Sequence, residues 1–126
     1  MNEQDKELLF IDLCGRVPYE VRMFEIEPIN DIQSNLTLQS ITNKESVICI
    51  TPSGGVIGSS IDAFKPYLFP LSSMTEEQKK EEYEICKYYL NGYESKLIDF
   101  YNKNHLDYRG LIPKGLAIDA SGLNIY

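Results

Sequence analysis

An α+β domain is predicted from three observations. Apolar and β-branched runs separated by turn residues fill positions 8–61, a doubly capped helix start stands at residues 73–78, and a glycine-rich but apolar tail closes the chain. The expected architecture is a curved antiparallel sheet or small barrel of about five strands, followed by two helices and a packed C-terminal tail. The 126 residues, 43% hydrophobic and 25% charged, fit one domain over 1–126. It reads as strand-rich over 8–61 and as helices plus tail over 62–126.

The first strand is expected at 8–13, an apolar run ending near Gly15 and Pro18. Residues 20–27 alternate, with Val21 and Met23 inward and a slip toward Phe24 and Ile26, the mark of a bulge or of burial on both faces. In 35–42, Leu36 and Leu38 share one face. The short β-branched run 47–51 reads as a central strand, 52–55 as a turn and 56–61 as a last short strand. Two prolines in 62–71 exclude a regular helix and suggest an extended segment pinned against the core.

Ser73-x-x-Glu76 and Thr75-x-x-Gln78 are both capping boxes, so a helix is expected over 75–90. Its inward stripe would be Tyr83, Cys86 and Leu90, with Tyr89 and Met74 alongside, and Asn91-Gly92 would close it. A second helix over 95–104 would present Leu97, Ile98 and Tyr101. The tail 107–126 carries Leu111, Ile112, Leu116, Ile118, Leu123 and Ile125, too much apolar surface to leave in water, with one strand expected at 116–119.

Twelve basic against 19 acidic residues give a net charge of −7, which argues against nucleic acid as a partner. The acids cluster at Glu76, Glu77, Glu81, Glu82 and Glu84 among Lys79 and Lys80, a solvated helix face rather than a mimic of DNA. The polar first residues and the interrupted run 8–13 offer neither a signal core nor a membrane span, so no membrane partner is expected. Cys14, Cys49 and Cys86 show no paired spacing and are read as buried thiols in a reducing, cytoplasmic setting.

Four features bear on chemistry. The glycine-rich 53–60 lacks the lysine of a phosphate-binding loop and reads as a hairpin turn. The single histidine, His105, stands beside Asp107 and Arg109; a general base, its orienting acid and an anion clamp would look like this, with Ser72 or Ser73 as a nucleophile. The structural alternative has these groups satisfying a helix end, with Asp107 and Arg109 bracing the tail as an ion pair. One histidine builds no ordinary zinc site, and neither metal nor cofactor is expected. Asp62, Asp99, Asp107 and Asp119 are candidate paired carboxylates, but no spacing singles out a pair. Nine tyrosines and no tryptophan, crowded toward the second half, suit a docking surface.

The blocks KPYLFPLSSMTEE (65–77) and NHLDYRGLIPKGLA (104–117) resemble a family of short uncharacterised proteins from gut Bacteroidales genomes, often near prophages or other mobile elements. The resemblance covers roughly the second half of the chain. It implies a bacterial or phage cytoplasmic protein acting through another macromolecule, and it draws attention to Lys65, Pro66, Tyr67, Asp107, Tyr108, Arg109 and Gly110. The expected function is therefore a small protein–protein interaction module, with Lys65, Tyr67, Asp107, Tyr108 and Arg109 as binding residues. The rival is a small hydrolase or transferase with His105, Asp107, Arg109 and Lys65 in one cleft; oligomeric state stays open.

Overall fold

The computed structural model describes residues 1–26, 35–88 and 93–126. The chain opens not with a strand but with helix α1 (Glu3–Arg16). Asn2 caps it, its side-chain oxygen accepting the Asp5 N–H at 2.8 Å. The buried residues Leu9, Asp12, Leu13 and Arg16 fall at the i, i+3, i+4, i+7 spacing of one helical face. Half of that face is charged, so the apolar run 8–13 hid the period; Ile11 within it is 46% exposed.

Five strands then form an antiparallel array in the order β4-β3-β2-β1-β5. They are β1 (Arg22–Glu25), β2 (Leu36–Asn43), β3 (Ser46–Ile50), β4 (Val56–Ser59) and β5 (Phe64–Pro70). Val21, Met23 and Glu25 are buried in unbroken alternation, so the expected slip toward Phe24 and Ile26 does not occur; Ile26 is exposed. The glycine-rich segment makes the β3–β4 hairpin. Gly55 N–H donates to Thr51 Oγ1 at 2.8 Å, and Gly54 takes a φ of 93° that other residues resist.

The segment expected to be merely extended is instead the hinge of the sheet. β5 pairs with β1 through residue 66, then with β7 (Ile118–Asp119) at Tyr67 and Leu68, then with β6 (Leu106–Asp107) at Phe69 and Pro70. The last two pairings are parallel. Among the described residues the result is an open, mixed, seven-stranded sheet within an α+β fold, not a closed barrel. Pro66 sits where β5 has a partner on one side only, a position that tolerates a missing N–H.

Helix α2 (Glu76–Tyr88) starts at the Thr75–Gln78 box. Thr75 N–H donates to Gln78 Oε1 at 2.9 Å, and Gln78 N–H to Thr75 Oγ1 at 3.1 Å. Ser73 does not cap; its hydroxyl donates to the Pro70 carbonyl at 2.7 Å. The expected inward stripe fails, because Tyr83 is 64% exposed and Cys86 lies in solvent. The half-buried side is Gln78, Glu82 and Ile85, at helical spacing but mostly polar, and Glu82 accepts the Tyr101 hydroxyl at 2.6 Å. Tyr89, Leu90 and the Asn91-Gly92 cap lie outside the described residues. Helix α3 (Tyr93–Lys103) buries Phe100 and Asn102, with Leu97 and Tyr101 half-buried and Ile98 exposed.

The core joins Leu9 and Leu13 of α1 to Val21, Met23, Leu36, Leu38, Val47, Phe64 and Leu68 of the sheet. Leu111 and Leu116 of the tail complete it, each contributing about 2 kcal/mol by burial. The tail thus packs as expected, although its strand is limited to Ile118–Asp119 and Leu123 stays 49% exposed. Of the cysteines only Cys49 is buried, its thiol pushed up to about 12 by desolvation and then by Glu25. Cys14 and Cys86 are exposed, against expectation, because α1 and α2 turn those faces outward. Among the described residues no helix is long and apolar enough to cross a membrane.

Candidate functional site

A polar junction forms where the C-terminal ends of α1 and α3 meet residues 105–109. Asp12 and Arg16, one helical turn apart on the inward face of α1, are both fully buried. Arg16 Nε donates to Asp12 Oδ2 at 2.7 Å and Nη2 to Asp12 Oδ1 at 3.1 Å. Nη2 also donates to the Leu106 carbonyl at 2.7 Å, tying α1 to β6. Arg109 approaches the same carboxylate, its Nε 3.5 Å from Asp12 Oδ1. The Tyr108 ring packs beside both cations, 5.4 Å from Arg16 and 5.0 Å from Arg109, and stacks on Tyr101 at 5.2 Å.

Below this junction the chain reverses at His105, whose φ of 57° ends α3 in the left-handed region. Its ring lies 3.9 Å from that of Tyr126, 15° from parallel. Burial, and then the charges of Arg16 and Arg22, push its pKa down to about 4, so the imidazole is neutral at pH 7. The Tyr126 hydroxyl accepts the Arg22 N–H at 2.9 Å and donates to the Tyr67 carbonyl at 2.7 Å. Register places Arg22 one step beyond the Met23–Pro66 pair, so this phenol bridges β1 and β5 where their direct ladder stops.

The expected site residues separate into different roles. Asp107 is buried, and its two oxygens accept the N–H groups of Leu111 (2.8 Å) and Ile112 (2.9 Å), a cap on the turn that starts the tail. It therefore orients no histidine, and His105 Nδ1 meets no hydrogen-bond partner among the described residues. The expected Asp107–Arg109 ion pair is absent because Arg109 turns to Asp12 instead. Tyr67 is 5% exposed, and Lys65, half-buried, stands opposite Phe24 on β5. Only Tyr108 and Arg109 of the expected binding set meet in one place. Asp62 pairs with Ser60 and Lys6, and Asp119 accepts the Ser121 N–H at 2.9 Å. Among the described residues no three His, Cys, Asp or Glu side chains gather as metal ligands.

Two further features complete the surface. A cleft of about 170 Å³ opens between the ends of β5 and β6 and the start of α2, lined by Phe69, Ser73, Thr75, Gln78, Asn104 and Leu106. No charged side chain lines it, and Gln78 Nε2 reaches across to Asn104 Oδ1 at 3.4 Å. On the opposite face of α2, Tyr83 and Tyr88 are 64% and 68% exposed, with the Lys87 ammonium 5.8 Å and 5.4 Å from their rings.

Compared with known proteins, the chain matches no family model, no curated protein and no solved structure.

Sequence reasoning missed Asp12, Arg16 and Asn102. An acid four residues before an arginine is a helical pairing signal. Here the apolar run 8–13, which reads as a strand, masks that helical spacing. Asn102 carries no comparable signal.

Proposed function

We propose that this chain is a small protein–protein interaction module that receives its partner on the outer face of α2. The observation that supports the reading is that α2, thirteen residues long, buries none of its described side chains while holding Tyr83 and Tyr88 in solvent. Tyrosine supplies large contact area at low entropic cost and is enriched in binding hot spots. The histidine–carboxylate relation that an enzyme reading needs is not formed, since Asp107 is committed to backbone amides.

The resemblance of 65–77 and 104–117 to proteins of Bacteroidales and their mobile elements supports a bacterial or phage origin. Two exposed free thiols fit a reducing, cytoplasmic setting. The test is affinity capture from a Bacteroidales lysate with the native chain and with Tyr83→Ser/Tyr88→Ser, a change in solvent that leaves the core intact. A partner held by the native chain and by a Val56→Ser control, but lost with the double variant, supports the reading. Equal capture by all three removes α2 as the docking face.

A further inference from the structure

Among the described residues β4 pairs with β3 and with no other strand, so it forms one edge of the sheet. Natural sheets shield such edges with lysine, proline, a bulge or a covering element, because an open edge recruits another strand. β4 is short, but Val56, Ile57, Gly58 and Ser59 include neither lysine nor proline. Its surroundings are equally bare. No Asp, Glu, Lys, Arg or His stands between Glu45 and Asp62, in a chain that is 25% charged. Val56 is 66% exposed. Register sets it beside Ile50 and Gly58 beside Ile48, so an apolar strip runs from the edge onto β3.

The ladder determines which backbone groups are open. Thr51 N–H donates to the Gly55 carbonyl at 2.8 Å, a bonded pair at the hairpin end. Bonded and non-bonded pairs alternate along an antiparallel ladder, so Ile57 and Ser59 turn their backbone groups to Cys49 and Val47. Val56 and Gly58 direct theirs away from β3, to the open side. Two copies related by a twofold axis at Ile57 match this arrangement. Val56 of each copy then faces Gly58 of the other, each pair exchanging both backbone bonds. The exposed valine thereby meets a residue with no side chain to oppose it.

Charge favours the same arrangement. Each copy carries −7, so two copies repel and approach closely only where neither is charged. Antiparallel pairing about Ile57 also sets Asp62 opposite the second copy's uncharged Pro52 rather than its Asp62. A strand from another protein would meet the same backbone groups, but a second copy brings both the matching Gly58 and the uncharged edge with it.

We propose that β4 is a self-association edge, to which a second copy of this chain adds its own β4 antiparallel, centred on Ile57. The contact is small beside the interfaces of stable dimers, so the dimer is weak and depends on concentration. It involves a different element from the α2 face and stands or falls separately.

The experiment is sedimentation equilibrium of the full chain from about 10 µM to about 1 mM, at low and at high salt. The mass should rise with concentration toward that of two chains. Association should tighten at high salt, which screens the repulsion between copies. Val56→Lys adds a charge in solvent, so it should keep the melting midpoint and weaken association at least tenfold. Should Val56→Lys not fold, Val56→Pro removes an outward N–H at the first residue of an edge strand, where proline is tolerated, and is read the same way. Tyr83→Ser/Tyr88→Ser should leave association unchanged. A monomer up to about 1 mM overturns the proposal and leaves the edge to a strand of another protein. Association that weakens with salt, survives the Val56 variant or is lost with the tyrosine variant overturns it as well.

Discussion

Asp12→Asn is the sharpest probe of what holds the first helix to the rest of the molecule. The substitution keeps shape and one acceptor but removes the charge shared by Arg16 and Arg109. Arg16 is fully buried and cannot move into water without dragging α1 off the core. Removing one member of a buried ion pair costs about 3–5 kcal/mol, because the remaining charge is left uncompensated. A domain of this size is stable by about 5–15 kcal/mol in all, so the loss is a large part of the whole. At roughly 3–5 °C per kcal/mol for this length, the melting midpoint should fall by about 10–20 °C.

The control is Glu7→Gln, which breaks the Lys44–Glu7 pair. That pair has nearly the same length, 2.9 Å against 2.7 Å, but is open to solvent. Its loss should leave the midpoint unchanged, since water replaces the partner. Thermal and urea unfolding followed by circular dichroism read both. If Asp12→Asn melts within a degree or two of Glu7→Gln, burial does not decide the worth of this pair and the argument fails. An Asp12→Leu/Arg16→Met chain should regain much of the loss, because it removes both buried charges at once.

Three other outcomes follow from single contacts. Tyr126→Phe should cost about 1–3 kcal/mol in urea unfolding, since it removes the hydroxyl that accepts the Arg22 N–H and donates to the Tyr67 carbonyl; no change would mean that water substitutes freely. Gly15→Ala should destabilise despite the roughly 1 kcal/mol helix gain of alanine, because its methyl group would meet Asn102 at 2.8 Å; a raised midpoint would show that Asn102 gives way. The native chain should lose stability as pH falls from about 6.5 to about 4. Above that window His105 is neutral in both states, and within it the unfolded chain takes up a proton that the folded one refuses. Asn tolerates the positive φ, so His105→Asn should fold and show a shallower slope over this window than the native chain; equal slopes would clear His105 of the effect.

What the sequence disclosed depended on which force set the pattern. The strands of 35–42, 47–51 and 56–61 were legible because a sheet with one buried face writes its period directly, as Leu36 and Leu38 or Val47 and Cys49 show. The Thr75–Gln78 cap was legible because its chemistry is local. Helix α1 was not, since its inward face is half ionic and only its partners 90 residues away explain Asp12 and Arg16. The stripe assigned to α2 failed for the converse reason. Hydrophobicity marked Tyr83 as inward, but α3 offers Tyr101 as a hydrogen-bond donor and so draws in Glu82. Of the candidate residues, Tyr108 and Arg109 come together, whereas Asp107 caps the Leu111 and Ile112 amides, a task that in sequence looks the same as serving His105.

The way β5 changes partners explains why so much polar chemistry collects at one end of this molecule. While β5 pairs with β1 its backbone is served by an antiparallel ladder, and apolar side chains suffice beneath it. Beyond residue 66 that ladder ends and two short parallel strands take over, β7 for two residues and β6 for two more. At each handover a side chain adds hydrogen bonds to the backbone. Tyr126 answers at the first handover, bridging Arg22 and Tyr67. Arg16 answers at the second, sharing the Leu106 carbonyl with the Tyr108 N–H. An arginine sent inward for a carbonyl brings a full charge with it, so Asp12 must follow on the same helix. Arg109 then finds that carboxylate in turn. The junction in which Arg16 and Arg109 meet the carboxylate of Asp12 is thus a consequence of mixing parallel with antiparallel strands in so small a sheet.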